Sequence, residues 1–192
     1  MKRSMQIVFV LVLSITSILF APIAQASQVV NHEAEALTLQ SLGLLSGTDQ
    51  GFELERIPTR VEGAVMLVRL LGKNEYAMQQ SFTHPFSDVP AWASPYIGFM
   101  YANNLTTGTD PSSFSPNLPL TPNQYLSFVL RSLGYNDQNG DFQWDKAMDK
   151  SQAIGLLDSS SRNELESFRR NEMVLISYLS LREKLKDSNS TL

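Results

Sequence analysis

Three stretches of this chain align on one another without a gap: Thr59 to Gly72 (TRVEGAVMLVRLLG), Thr121 to Gly134 (TPNQYLSFVLRSLG) and Arg169 to Arg182 (RRNEMVLISYLSLR). Apolar residues share columns, as in Ala64, Leu126 and Val174, or Met66, Phe128 and Ile176, at spacings that include three and four. That period is helical, so each stretch predicts a helix with one apolar face. Two of the helices carry their own start signals. Glu62 stands three residues after Thr59, and Gln124 three after Thr121. This is the capping-box pattern, in which the hydroxyl and the acid or amide satisfy free backbone N–H groups. Pro122 falls at the first helical position, where its missing N–H costs nothing. Gly72 and Gly134 are natural C-terminal stops. The fold class expected is all-α: one domain with internal threefold pseudosymmetry.

A second similarity lies upstream of each helix. Gly43 to Asp49 (GLLSGTD) resembles Asn104 to Asp110 (NLTTGTD), and Gly155 to Asp158 (GLLD) is a looser third copy. Each closes another helical stretch, at Asn31 to Leu42, Trp92 to Asn103 and Trp144 to Ile154. The unit reads as helix, turn, irregular loop, capped helix, with Phe52, Phe114 and Leu165 expected to pin the loops to the core. Strand alternation is absent apart from a short extended piece expected near Phe52-Glu53-Leu54.

The N-terminus reads as a secretory leader. Lys2 and Arg3 precede an apolar stretch from Met5 to Phe20, and Ala24-Gln25-Ala26 supplies small residues for cleavage. The stretch is short for a bilayer span, which takes about 20 residues. Removing residues 1–26 would take the net charge from −4 to −6, because Lys2 and Arg3 leave and no acid does. An acidic chain is poorly suited to general adhesion to nucleic acid or anionic lipid, which needs a basic surface. The chain has no cysteine, so an apolar core must hold it in an oxidising compartment.

Other chemistries find little footing. Asp137 to Asp141 (DQNGD) invites a calcium-loop reading, but Phe142 stands where glycine is needed and Met148 where a bidentate Glu belongs. His32 and His84 have no ligand-spaced partner, so no metal or other cofactor is assigned. No nucleophile-elbow, metalloprotease or phosphate-loop string occurs, which argues against an enzyme. The polar end from Lys184 to Leu192 reads as a frayed terminus, with 188–192 as a flexible tail.

The middle copy carries a more specific signature. Phe86-Ser87-Asp88-Val89, Trp92-Ala93, Tyr96-Ile97, Gly108, Phe114 and Pro116, followed by a capped helix, resemble an S-layer homology repeat, as does the string Thr59-Arg60-Val61-Glu62. The resemblance spans roughly 28–75, 84–136 and 140–185, with the first copy lacking the Phe-x-Asp-Val opening and the third diverging in its loop. It implies a pseudo-threefold helical spindle with grooves between its prongs. It also implies non-covalent binding of a secondary cell-wall polysaccharide of Gram-positive-type bacteria, often through a pyruvylated amino sugar whose carboxylate meets the arginine of the Thr-Arg-Ala-Glu string. A guanidinium can grip a carboxylate with two parallel bonds, and a helix N-terminus adds donors. The ligand-contacting set expected is therefore Arg60, Arg170, Trp92, Trp144, Gly108 and Thr109. Trp92 and Trp144 read equally as sugar platforms or as core anchors. Glu62 reads as a cap in preference to a sugar-binding acid. Pro122, Asn123 and Gln124 depart from the pattern, in place of Arg, a small residue and Glu, so the second copy is expected to have lost its clamp. The competing reading is a secreted protein-interaction or scaffold domain that keeps the fold without the sugar site.

Overall fold

The computed structural model describes residues 31–192, so the leader read at residues 1–26 lies outside the described part. The described chain is helical, and its only β pairings are isolated bridges such as Thr59 with Pro119. Eight α-helices are described: α1 (Glu33–Ser41), α2 (Arg60–Leu70), α3 (Asn74–Gln79), α4 (Ser94–Ala102), α5 (Pro122–Ser132), α6 (Ala147–Ala153), α7 (Ser159–Glu164) and α8 (Arg170–Ser180). The all-α expectation holds, and the three aligned stretches are α2, α5 and α8. None of the described helices is long and apolar enough to cross a membrane. Glu53 corrects the short extended piece, since it sits in the left-handed region at φ 50°. α3 joins the first copy to the second, and α7 falls where irregular loop was expected. α7 has a local cause: the Asp158 carboxylate accepts the Ser161 N–H at 2.8 Å and caps the helix.

Helices α2, α5 and α8 meet pairwise, and their shared columns become the core: Ala64, Leu126, Phe128 and Ile176 are all nearly or fully buried. Gly63 lets α2 approach the α5 region closely, because a Cβ there would stand 2.4 Å from a Leu120 methyl. Around this centre the short helices are exchanged between units: α2 packs on α4, α5 on α6, and α8 on α1.

The exchange has a backbone reason. The first N–H groups of a helix lack intrahelical partners. Those of Arg60 and Val61 donate to the carbonyls of Leu118 and Pro116, in the loop of the next unit. Those of Arg170 and Asn171 donate to Arg56 and Leu54, in the loop of the first unit. Pro122 has no N–H to offer at the matching place in α5. There Asn123 works through its side chain: its Oδ1 accepts the Met148 N–H at 3.0 Å and its Nδ2 donates to the Asp145 carbonyl at 2.6 Å. Asn171 in α8 does the same for His32, accepting its N–H at 2.8 Å.

The caps stand as the sequence suggests. Glu62 Oε2 accepts the Thr59 N–H at 2.7 Å and the Thr59 hydroxyl at 3.1 Å. In the third copy Glu172 Oε2 accepts the Arg169 N–H at 2.6 Å. Thr59→Ala should cost about 1 kcal/mol in a denaturant melt, the usual loss for an N-cap side chain; a loss within error would show that the hydroxyl does not hold the start of α2. The C-terminal residues fold back on the body: the Lys186 N–H donates to the Leu133 carbonyl at 2.7 Å, and its ammonium lies 2.7 Å from Asp141.

Candidate anion-binding clefts

The structure brings the six candidate residues together as two clefts rather than one. The larger, about 410 Å³, is lined by Arg60, Gly108, Thr109, Gln124, Arg131 and Trp144, among others. The smaller, about 220 Å³, includes Arg170, Trp92, Thr48, Glu62 and Arg69 in its walls. Their linings correspond through the repeat alignment: Arg60 with Arg170, Thr109 with Thr48, Gln124 with Glu62, Arg131 with Arg69, and Trp144 with Trp92.

The two arginines are not the solvated first-turn residues that their positions allow. Arg60 is 5% exposed and Arg170 is 7% exposed. Arg60 reaches across to the loop of the next unit, where its Nε donates to the Phe114 carbonyl at 2.9 Å and its Nη2 makes a long bond of 3.4 Å to the Gly108 carbonyl. Its guanidinium lies 4.7 Å from the centre of the Phe114 ring and 4.9 Å from that of Phe128. Arg170 repeats the first contact, with its Nε 2.9 Å from the Phe52 carbonyl. Desolvated ring faces give a cation about 2 kcal/mol each. With the carbonyls, they account for a buried guanidinium that forms no ion pair among the described residues.

The glycine of the motif follows from the same loop. Gly108 sits at φ 79°, and a Cβ on it would fall 2.4 Å from the Phe86 ring and 2.6 Å from the Ser113 carbonyl. Asp88 fixes the loop from the other side, accepting the N–H groups of Phe114 and Ser115 at 2.8 and 2.7 Å. The loop is thus held under Arg60 by Phe86, Asp88 and Phe114, three residues of the signature.

Trp92 and Trp144 are each 58% exposed, which removes the core-anchor reading. The apolar anchoring of those short helices falls to Ala93 and Ala147, both fully buried. Ser127, on α5, donates to the Trp144 carbonyl at 3.2 Å and so helps to fix the rim of the larger cleft.

Arg131 and Arg69 were missed by motif reasoning, although the gapless alignment puts them in one column and an arginine late in a helix draws attention to its carbonyl end. Arg131 is held by Asp137 at 2.7 Å, with both side chains largely buried, and its Nη1 donates to the Leu105 carbonyl. That bond holds the Asp137 carboxyl below the usual carboxylate range. Arg69 has only a long contact, 3.4 Å, to Ser46 Oγ. Burial, reinforced by Arg131, lowers the Arg60 pKa to about 10. Burial also lowers that of Arg170, but there Glu62 pulls the other way.

The family description "S-layer homology domain" matches residues 85–121. Residues 85–121 are thus similar to an S-layer homology domain. This is the middle copy, the one whose signature is most complete, and it contains the Gly108–Phe114 loop beneath Arg60. The chain is 29% identical over 88% of its length to a "Cell surface protein" of Thermoanaerobacter kivui, covering 23% of that protein. It is 27% identical over half its length to the "Middle cell wall protein" of Brevibacillus brevis, covering 10% of it. A match to an "Endoglucanase" of a Bacillus species, at 35% identity, involves 33% of this chain and 7% of that enzyme. The chain therefore spans about a quarter or less of each of these relatives.

Proposed function

We propose that this chain is a non-enzymatic cell-surface module that holds on to the cell wall by binding an acidic secondary polysaccharide in its two clefts. The observation that carries the proposal is Arg60: a guanidinium buried without an acid at the wall of a polar cleft, beside an exposed tryptophan. Such a group is completed by an anion that brings its own charge. A polar cleft with aromatic walls suits a sugar, whereas a protein-docking site is expected to show a broad apolar patch. The surface and wall proteins among the relatives support the same location, and a secreted, extracellular position agrees with the leader read at residues 1–26.

Purified protein should sediment with cell walls that retain their acidic polymer and stay in solution when that polymer has been stripped. If stripped and intact walls retain it equally, the polysaccharide reading fails and the protein-interaction reading takes its place.

A further inference from the structure

The two clefts line up residue for residue, but they do not present the same chemistry. At the third position of the helix that forms one wall, the smaller cleft has Glu62 and the larger has Gln124. Glu62 Oε1 lies 3.6 Å from Arg170 Nη1 and 2.6 Å from Arg56 Nη2. The cation that should meet a ligand there already faces a carboxylate of the protein. Burial works against that charge, but hydrogen bonds from Arg56 and Thr59 still hold Glu62 below the usual carboxylate range, so it stays ionised at neutral pH.

In the larger cleft the acid that is present, Asp137, is taken by Arg131. Gln124 spends its Oε1 on the Thr121 N–H at 3.3 Å, and its amide Nε2 makes no hydrogen bond among the described residues. Where the smaller cleft offers a negative acceptor, the larger offers a free N–H donor beside an unpaired buried cation.

We propose that Gln124 is the specificity-determining residue of the pair: it makes the Arg60 cleft the carboxylate site, while Glu62 occupies the Arg170 cleft from within and weakens it for anions. This rests on the reading of the clefts as sugar-carboxylate sites. The number of working anion sites in the chain is then one strong and one weak, set by a single amide-for-acid exchange.

The test is a titration with a pyruvylated monosaccharide, alongside the same sugar without the pyruvyl group, followed by the backbone amide signals of Thr109 and Thr48. In the wild type Thr109 should respond at an at least roughly tenfold lower concentration of the acidic sugar than Thr48, a difference of one decade in affinity. Gln124→Glu should abolish that advantage. Glu62→Gln should move the Thr48 response to lower concentration. Both variants keep a capping side chain, since Gln124 and Glu62 already fill that role in their own helices; Glu62→Gln also gives up the ion pair with Arg56, so a thermal melt accompanies each titration. Equal responses in the wild type, or a Gln124→Glu variant that titrates unchanged, would overturn the assignment. Wall sedimentation separates the two readings: polymer-dependent retention with no effect of Gln124→Glu sinks only the inference, whereas the predicted titration without polymer-dependent retention sinks only the polysaccharide reading.

Discussion

Arg60→Ala should lower the apparent affinity for intact walls at least about tenfold. The chain is net negative at −4, as is an acidic polymer, so long-range attraction cannot hold the two together. Affinity has to come from local pairs, and losing a hydrogen bond to a charged group costs about 1.5–3 kcal/mol, where about 1.4 kcal/mol is one decade. The same substitution removes the bond to the Phe114 carbonyl and the contacts with two rings, so each variant needs a melt beside its binding curve. Arg60→Lys sharpens the result. Lysine keeps the charge but not the planar fork, and binding should return only in part. Asn123 departs from the family pattern, yet it grips the turn into α6 through hydrogen bonds with Asp145 and Met148 and is not a neutral control. An Arg60→Ala protein that melts like the wild type and still sediments fully with intact walls would move the site away from Arg60. The next pair to try is then Arg170 with Trp92. Trp144 lines the cleft of Arg60 instead.

Phe114→Ala should cost about 3–5 kcal/mol, the range for emptying a fully buried aromatic site. Phe114 is 0% exposed, and its ring touches Phe86 as well as the Arg60 guanidinium. A domain of this size has only about 5–15 kcal/mol of stability in all, so the urea midpoint should fall by a large fraction. Loss of the ring also leaves Arg60 buried beside a void with one of its aromatic faces gone, which places the effect toward the upper end. A loss below about 1 kcal/mol would mean that the 108–114 loop is not fixed by its aromatic residue, and the rigid floor of the larger cleft would have to be explained otherwise.

The helices were legible in the sequence because their signals are local. Spacing of three and four, a Thr or Pro at the start and a Gly at the end decide α2 and α5 without reference to anything distant. Turn chemistry was legible for the same reason: Gly43, Asn104 and Gly155 occupy matching places and all adopt the left-handed conformation that glycine and asparagine tolerate. What was not legible is contact across the chain. Arg60 and Phe114 are 54 residues apart, and no local rule says that a first-turn arginine will turn away from its own helix toward another loop. Trp144 reads equally as an anchor or as a platform until its neighbours are known, because its type suits a core and a binding rim alike. Gln124 reads as a cap, and is one, but what its amide does for the opposite wall depends on a partner supplied by a different unit.

Each cleft is assembled from three separate portions of the chain. Arg60 comes from the first, Gln124 and Arg131 from the second, and Trp144 from the third; the other cleft draws on Arg170, Glu62 and Trp92 in the same rotating order. A count of copies is therefore not a count of binding sites. Excising any one copy would dismantle both clefts at once, and a lone copy, however faithful its signature, would have half-walls with nothing opposite. Substitutions in one copy are felt in a pocket whose other sides belong to its neighbours, and the second copy, with Pro122 in the arginine column, still supplies Gln124 and Arg131 to the pocket of Arg60.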